Sequence, residues 1–253
     1  MKKLILMATA VAAVSANAAV TIYDSNGFEA PTFTGSAAGT NLSGQDGWTG
    51  AAAGTTNGRV FAGANLGVSP FAGNQMVRIQ ATNAGSSRFA WRDISAGVSS
   101  ALLSPSTAAI RMSTKFNLGA TTVSGISGIL AYDLTGSDLI AGLYADTDGN
   151  IILDAGDGIN GLVFSGFTEG VWHDLEMTLD YNLGIFSARI DGFYLGGYAL
   201  TNTVADFDFY TQADAAGSVN GYFDDFKVTG VPEPGTMLAI GAGLAAMARR
   251  RRK

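Results

Sequence analysis

Few side chains in this sequence are equipped for chemistry, and their types narrow the options at once. Among 253 residues there is no cysteine and one histidine, His173. Without cysteine there is no disulfide scaffold, no iron–sulfur cluster and no thiol nucleophile. A single imidazole cannot build a His-rich metal site. A Ser-His-Asp triad would need a serine on a nucleophile elbow, and no such motif occurs. His173 lies on an alternating segment with the same parity as Leu175, which predicts a packed, hydrogen-bonded histidine and not a general base. No glycine-rich phosphate loop is present either.

Carboxylates remain. Paired carboxylates that cleave a glycan with retention stand about 5 Å apart on one face. Asp174 and Glu176 share a strand face, with Asp180 beyond them. The alternative is a solvated outer face opposite Leu175 and Met177. No catalytic residue is expected on balance, and the chain reads as a non-enzyme. A second acidic group, Asp146-Thr147-Asp148-Gly149-Asn150 with Asp154 and Asp157, sets oxygen ligands at the spacing of a calcium loop. Its turn glycine, Gly149, comes two positions early, and Ile151 stands where the loop pattern has glycine. Two readings stay open: a calcium site formed by Asp146, Asp148, Asn150, Asp154 and Asp157, or two acidic turns around a short strand. Calcium is the one cofactor the sequence suggests. Among the aromatics, Trp48, Trp91 and Trp172 are expected in the core. Tyr194, Tyr198 and Tyr210 are the candidates for a wet platform that stacks on sugar rings.

The elements that must position these groups are strands. In Ala109 to Phe116, Ile110, Met112, Thr114 and Phe116 face one way and Arg111, Ser113 and Lys115 the other. Leu175, Met177 and Leu179 alternate with Asp174, Glu176, Thr178 and Asp180. Phe186, Ala188 and Ile190 precede a tight Asp191-Gly192 turn into Phe193 to Leu200. Leu139 to Ala145 and Ile151 to Leu153 flank Asp148-Gly149-Asn150, and Tyr222 to Val228 forms a closing strand. One polar and one apolar face per strand predicts antiparallel sheets, and ten or more short strands predict an all-β, two-sheet sandwich. Ala30 to Ser100 is less regular, and Thr32 to Asn65 is either a long surface loop or a weak edge. Helix is expected only in the two terminal segments. Seven of the 15 basic residues sit at the two ends, so only eight face 20 acidic residues between Ala19 and Gly230. Such a body repels nucleic acid.

Both ends read as targeting signals. Lys2 and Lys3, the apolar run Leu4 to Val14, and Ala16-Asn17-Ala18 form a secretory signal peptide over residues 1–18, cleaved after Ala18. The mature body is then 19–230. Residues 231–253 hold Pro232-Glu233-Pro234, an apolar run to Ala248, and Arg249-Arg250-Arg251-Arg252-Lys253. Gly235 to Ala248 spans about 21 Å as a helix, short of the ~30 Å hydrocarbon core, which suits a transient membrane segment better than a permanent anchor. This tripartite tail resembles the PEP-CTERM sorting signal of Gram-negative bacteria. The resemblance implies recognition by a membrane-embedded exosortase, cutting near the motif, and delivery to the cell surface or the extracellular polysaccharide matrix.

Within the body, Phe28-Glu29, Leu42 to Trp48, Trp172 to Met177 with Asp180, Ile190-Asp191-Gly192 and Tyr222 to Val228 occur in an order similar to concanavalin A-like lectin/glucanase (laminin G-like) jelly rolls. Glycan-cleaving members of that class carry Glu-x-Asp-x-(x)-Glu on one strand, and none of the glutamates at 29, 169, 176 and 233 opens such a motif. The expectation is therefore an exported, non-enzymatic sandwich that binds exopolysaccharide. The alternatives are a glycan-active jelly-roll enzyme and a structural matrix protein without a ligand.

Overall fold

Strands form wherever the sequence alternates at period two, and in several places where it does not. The structure, a computed structural model, describes residues 19–50, 58–102, 107–133, 138–156 and 160–232. The proposed signal peptide, including Ala16 and Ala18, and the tail from Glu233 through Arg249, Arg250, Arg251 and Arg252 lie outside the described residues. Among those described, no helix is long and apolar enough to cross a membrane.

The strands in chain order are β1 (Val20–Asp24), β2 (Thr40–Asn41), β3 (Trp48–Gly50), β4 (Gly58–Ala62), β5 (Gln75–Ala81), β6 (Ser86–Asp93), β7 (Thr107–Leu118) and β8 (Gly125–Asp133). They continue with β9 (Leu139–Asp146), β10 (Asn150–Asp154), β11 (Asn160–Ser165), β12 (His173–Asp180), β13 (Ile185–Ile190), β14 (Phe193–Ala199), β15 (Val204–Ala213) and β16 (Val219–Pro232). A nine-stranded sheet runs β14-β13-β12-β7-β16-β5-β4-β2, with β1 also paired to β16. A seven-stranded sheet runs β11-β10-β9-β8-β15-β6-β3. The architecture is the expected all-β sandwich of two antiparallel sheets.

The inward faces meet in one aromatic core. Phe209 of β15 stacks on Phe223 of β16 with ring centroids 4.1 Å apart and planes 10° from parallel. Trp48 stacks on the same Phe209 at 4.8 Å and donates its indole N–H to the Tyr23 hydroxyl at 3.0 Å. Sheet is thus bolted to sheet by rings whose one polar handle is satisfied. Phe33, Leu42, Trp48, Val60 and Phe61 are all buried, so the stretch from Thr32 to Asn65 is a weak edge that anchors in the core, as far as it is described. Carboxylates pin the loops beside it. Glu29 accepts the backbone N–H groups of Asn74 and Gln75 at 2.6 and 2.7 Å, and Asp224 accepts those of Phe71 and Ala72.

One expectation is corrected. Helix is not confined to the ends: α1 (Ser95–Leu102) sits inside the body. It is two turns long and rich in small residues, so it shows no extended helical period in the sequence. It forms because Val98 and Ala101, one turn apart, are buried against the core and because Asp93 accepts the Ser95 N–H at its first turn.

The first and last strands are neighbours. Val20 pairs with Gly230, and on its other side β16 pairs with β7 as far as Pro232, opposite Thr107. The sorting tail therefore starts directly from a paired strand.

Candidate functional site

The outer face of the seven-stranded sheet carries a cleft of about 520 Å³. Its floor is β15, where parity sends Phe207 and Phe209 into the core and Asp206, Asp208 and Tyr210 outward. Register sets the walls. Asp208 pairs with Trp91 and Tyr210 with Phe89 on β6, while Asp206 pairs with Tyr132 on β8. Phe89 and Trp91 lie side by side at 5.5 Å. Tyr144 of β9 meets Tyr210 edge-on at 5.9 Å, and its ring lies over Gly142. A Cβ at that glycine would come within 2.9 Å of the ring, so the missing side chain is what lets the tyrosine lie down on the sheet. The Tyr210 hydroxyl donates to Gln212 at 2.5 Å, which fixes its direction.

Two carboxyl groups stand in this apolar surround without a countercharge. Asp208 is only 6% exposed, and its Oδ1, like that of Asp206, is buried with no hydrogen-bond partner. Burial, helped by repulsion from Asp93 and Asp133, pushes the Asp206 carboxyl up to about 6. Burial and the neighbouring Asp206 push Asp208 well above the usual carboxylate range. Burial first, then the Asp208 charge, raises Tyr132 to about 12. Among the described residues, no lysine, arginine or histidine lines the cleft. The nearest cation in sequence, Arg92, has the opposite parity to Trp91 and lies over the Tyr23 ring at 4.0 Å. The cleft can therefore offer flat aromatic faces and unsatisfied acceptors, with no cationic side chain among its described lining.

Other groups singled out from the sequence lie elsewhere. Asp174 and Glu176 are on the outer face of the nine-stranded sheet, where Lys115 pairs with Asp174 and Arg111 and Arg189 stand 3.6 and 3.7 Å from Glu176. That is the solvated outer face of the second reading, and its carboxylates are ion-paired. His173 is packed on Phe167 at 4.5 Å, and both its ring nitrogens are engaged, with Asp191 at 2.7 Å and the Thr168 carbonyl at 3.1 Å. Asp146 closes the β9–β10 turn: one oxygen accepts the N–H groups of Asp148 and Asn150, and the other accepts the Asn150 side-chain amide. Gly149 takes the left-handed conformation at φ 83°. Asp154 turns to the Gly156 N–H, and Asp157 lies outside the described residues. Among the described residues, no three acidic or histidine side chains gather as a metal cage.

The three tyrosines do not form one platform, which corrects the sequence reading. A β-bulge on β14 breaks the alternation between Tyr194 and Tyr198. Tyr194 pairs with Arg189 and faces outward, whereas Tyr198 pairs with Phe186 and stacks on it at 5.7 Å, against the core. Only Tyr210 belongs to the cleft. Its companions Phe89, Trp91, Tyr132, Asp206 and Asp208 were missed, although Asp206-x-Asp208-x-Tyr210 between Phe207 and Phe209 is a legible alternation.

Residues 230–253 match the model of the PEP-CTERM protein-sorting motif. The chain ends in a PEP-CTERM sorting signal. That motif implies exosortase-mediated processing and export to the surface or exterior of a Gram-negative bacterium. No curated relative matches the chain by sequence. In fold, the chain is similar to the cellulose-induced protein Cip1, at TM-score 0.51 and 13% identity over 72% of this chain and 90% of that one. It is also similar to a carbohydrate esterase of the Shiga toxin-encoding bacteriophage phi24B, at TM-score 0.50 and 16% identity over 73% and 90%. A sialidase aligns at TM-score 0.49 and 14% identity over 69% of this chain, which spans only 17% of that protein. The likeness to Cip1 and to the esterase concerns the fold alone at such identities, and it agrees with the jelly-roll resemblance of the body.

Proposed function

We propose that the sorted body is a non-enzymatic, polysaccharide-binding sandwich of the cell surface or extracellular matrix. The observation that carries this is the cleft on the seven-stranded sheet, where half-buried Phe89, Trp91, Tyr132 and Tyr210 flank a row of free acceptors. Aromatic faces stack on the apolar faces of pyranose rings, and buried oxygens without donors reward a ligand rich in hydroxyl or amine donors. Exosortase removes the tail near Pro232-Glu233-Pro234. Surface-localised protein whose intact mass still includes Arg249 to Lys253 would contradict that processing.

A second reading, hydrolysis, is favoured by the Asp206/Asp208 pair itself. Alternate residues of a strand stand about 7 Å apart, within the range of inverting glycosidases. The test is co-sedimentation of the full chain with insoluble glycans, alongside an assay for new reducing ends. Binding that Trp91→Ala abolishes, with no reducing ends formed, is the expected result. Reducing ends lost in Asp206→Asn would establish the enzyme instead.

A further inference from the structure

The cleft also shows which glycans it suits, an inference that rests on the polysaccharide-binding reading above. Asp206 and Asp208 project from one strand into a groove walled by aromatic rings, and among the described residues no cationic side chain lines it. Asp208 is nine-tenths buried, and the Oδ1 atoms of both residues lack any donor. Asp93, which stands beside Asp206 across the ladder, and Asp133 add to the negative field at Asp206. The positive groups of β6 are committed elsewhere: Arg92 to the Tyr23 ring and to Asp46 at 3.8 Å, Arg88 to the Ser87 carbonyl.

Each of these facts bears on the charge of the ligand. A polyuronate or a sulfated glycan would bring anions to carboxylates that already repel each other, with nothing to neutralise them. A neutral sugar could satisfy the acceptors through hydroxyl groups but would leave the charge unpaired in a poorly solvated place. A sugar ammonium supplies both needs at once, donating charge-assisted hydrogen bonds to the carboxylates and lying against electron-rich faces such as Trp91 and Tyr210.

We propose that this cleft selects polysaccharides bearing free amino groups, with a sugar ammonium held by Asp206 and Asp208 and its ring against the Phe89–Trp91 wall. The test measures binding of the full chain to three oligosaccharides of equal length: a β-linked glucosamine oligomer, its fully N-acetylated counterpart, and an oligomannuronate. The glucosamine oligomer should bind at least about tenfold more tightly than the acetylated one, and the mannuronate should not bind measurably. Asp206→Asn and Asp208→Asn should each bring that preference toward unity in protein whose melting temperature shows it folded. Asp148→Asn, which removes one exposed charge from the β9–β10 turn, should leave the preference intact and so excludes general attraction to an acidic protein. Trp91→Ala should weaken both binding oligomers alike. Equal affinity for the amine and its acetylated form, with Trp91→Ala still disruptive, overturns the amine selection while the glycan site stands. Absence of binding to all three overturns both.

Discussion

Asp206→Asn isolates the energetic cost of the acidic cleft. The wild-type carboxyl moves from an ordinary 3.8 to about 6 because burial disfavours its charged form. Between those values the folded protein keeps a proton that the unfolded chain has released, so stability falls as pH rises through that window. Above about 6 the deficit is constant, and below 3.8 it vanishes. Taken at face value the displacement corresponds to about 3 kcal/mol, and solvent screening at this half-exposed site reduces it to ~1.5 kcal/mol. Asparagine has the same shape and cannot ionise. Chemical denaturation at pH 3.5, 4.5, 5.5 and 7 should therefore show the two proteins equally stable at the lowest pH. The variant should gain through the window and stay ahead by ~1.5 kcal/mol at pH 7. A difference that does not change with pH, or a variant less stable at pH 7, would refute the electrostatic account of this site.

Three further outcomes follow from other parts of the fold. Trp48→Ala removes a ring that is 2% exposed and stacked at the centre of the sandwich; it should cost about 3–5 kcal/mol in unfolding free energy, read from denaturant midpoints. Gly192→Ala places a Cβ on a residue at φ 78° in the β13–β14 turn and should cost about 1–2 kcal/mol, with binding to glycans unchanged. Calcium should not raise the melting temperature, because the Asp146 oxygens are already occupied by Asp148 and Asn150. Asp146→Ala should lower that temperature with or without calcium, by loss of the turn closure.

The sandwich was legible where one face of a strand meets water. β7, β12 and β13 alternate cleanly because their outer faces carry Arg111, Lys115, Glu176 and Arg189, which pair across strands in solvent. The cleft was harder to read for the converse reason. On β15 the Asp–Phe alternation is plain in the sequence, but both faces are largely covered, so Phe207, Asp208 and Phe209 are buried in succession and a polar face that alternation marks as solvated is instead a sheltered cleft floor. Tyr194 and Tyr198 show the limit of parity reasoning: one extra residue on an edge strand inverts every side chain beyond it, and the mark of the bulge in Phe193 to Leu200 is Gly196-Gly197, with Gly196 at φ 123°. Likewise α1 contributes only two buried side chains, too few to register as a helical period. The sorting tail was legible in full because its code is linear: prolines, an apolar run and an arginine cluster act in order along the chain and need no partner in space.

The pairing of β1 with β16 has a mechanical side. Val20 and Gly230 face each other at one end of an antiparallel ladder, whose hydrogen bonds lie across the strands. A pull between the two termini of the body therefore opens those bonds one at a time, each worth only about 1 kcal/mol net. It never loads them together in shear. A pull on Pro232 alone meets a different resistance, since β16 is also held by β7 along almost its whole length. A sandwich gripped there hangs from one corner like a flag from its hoist.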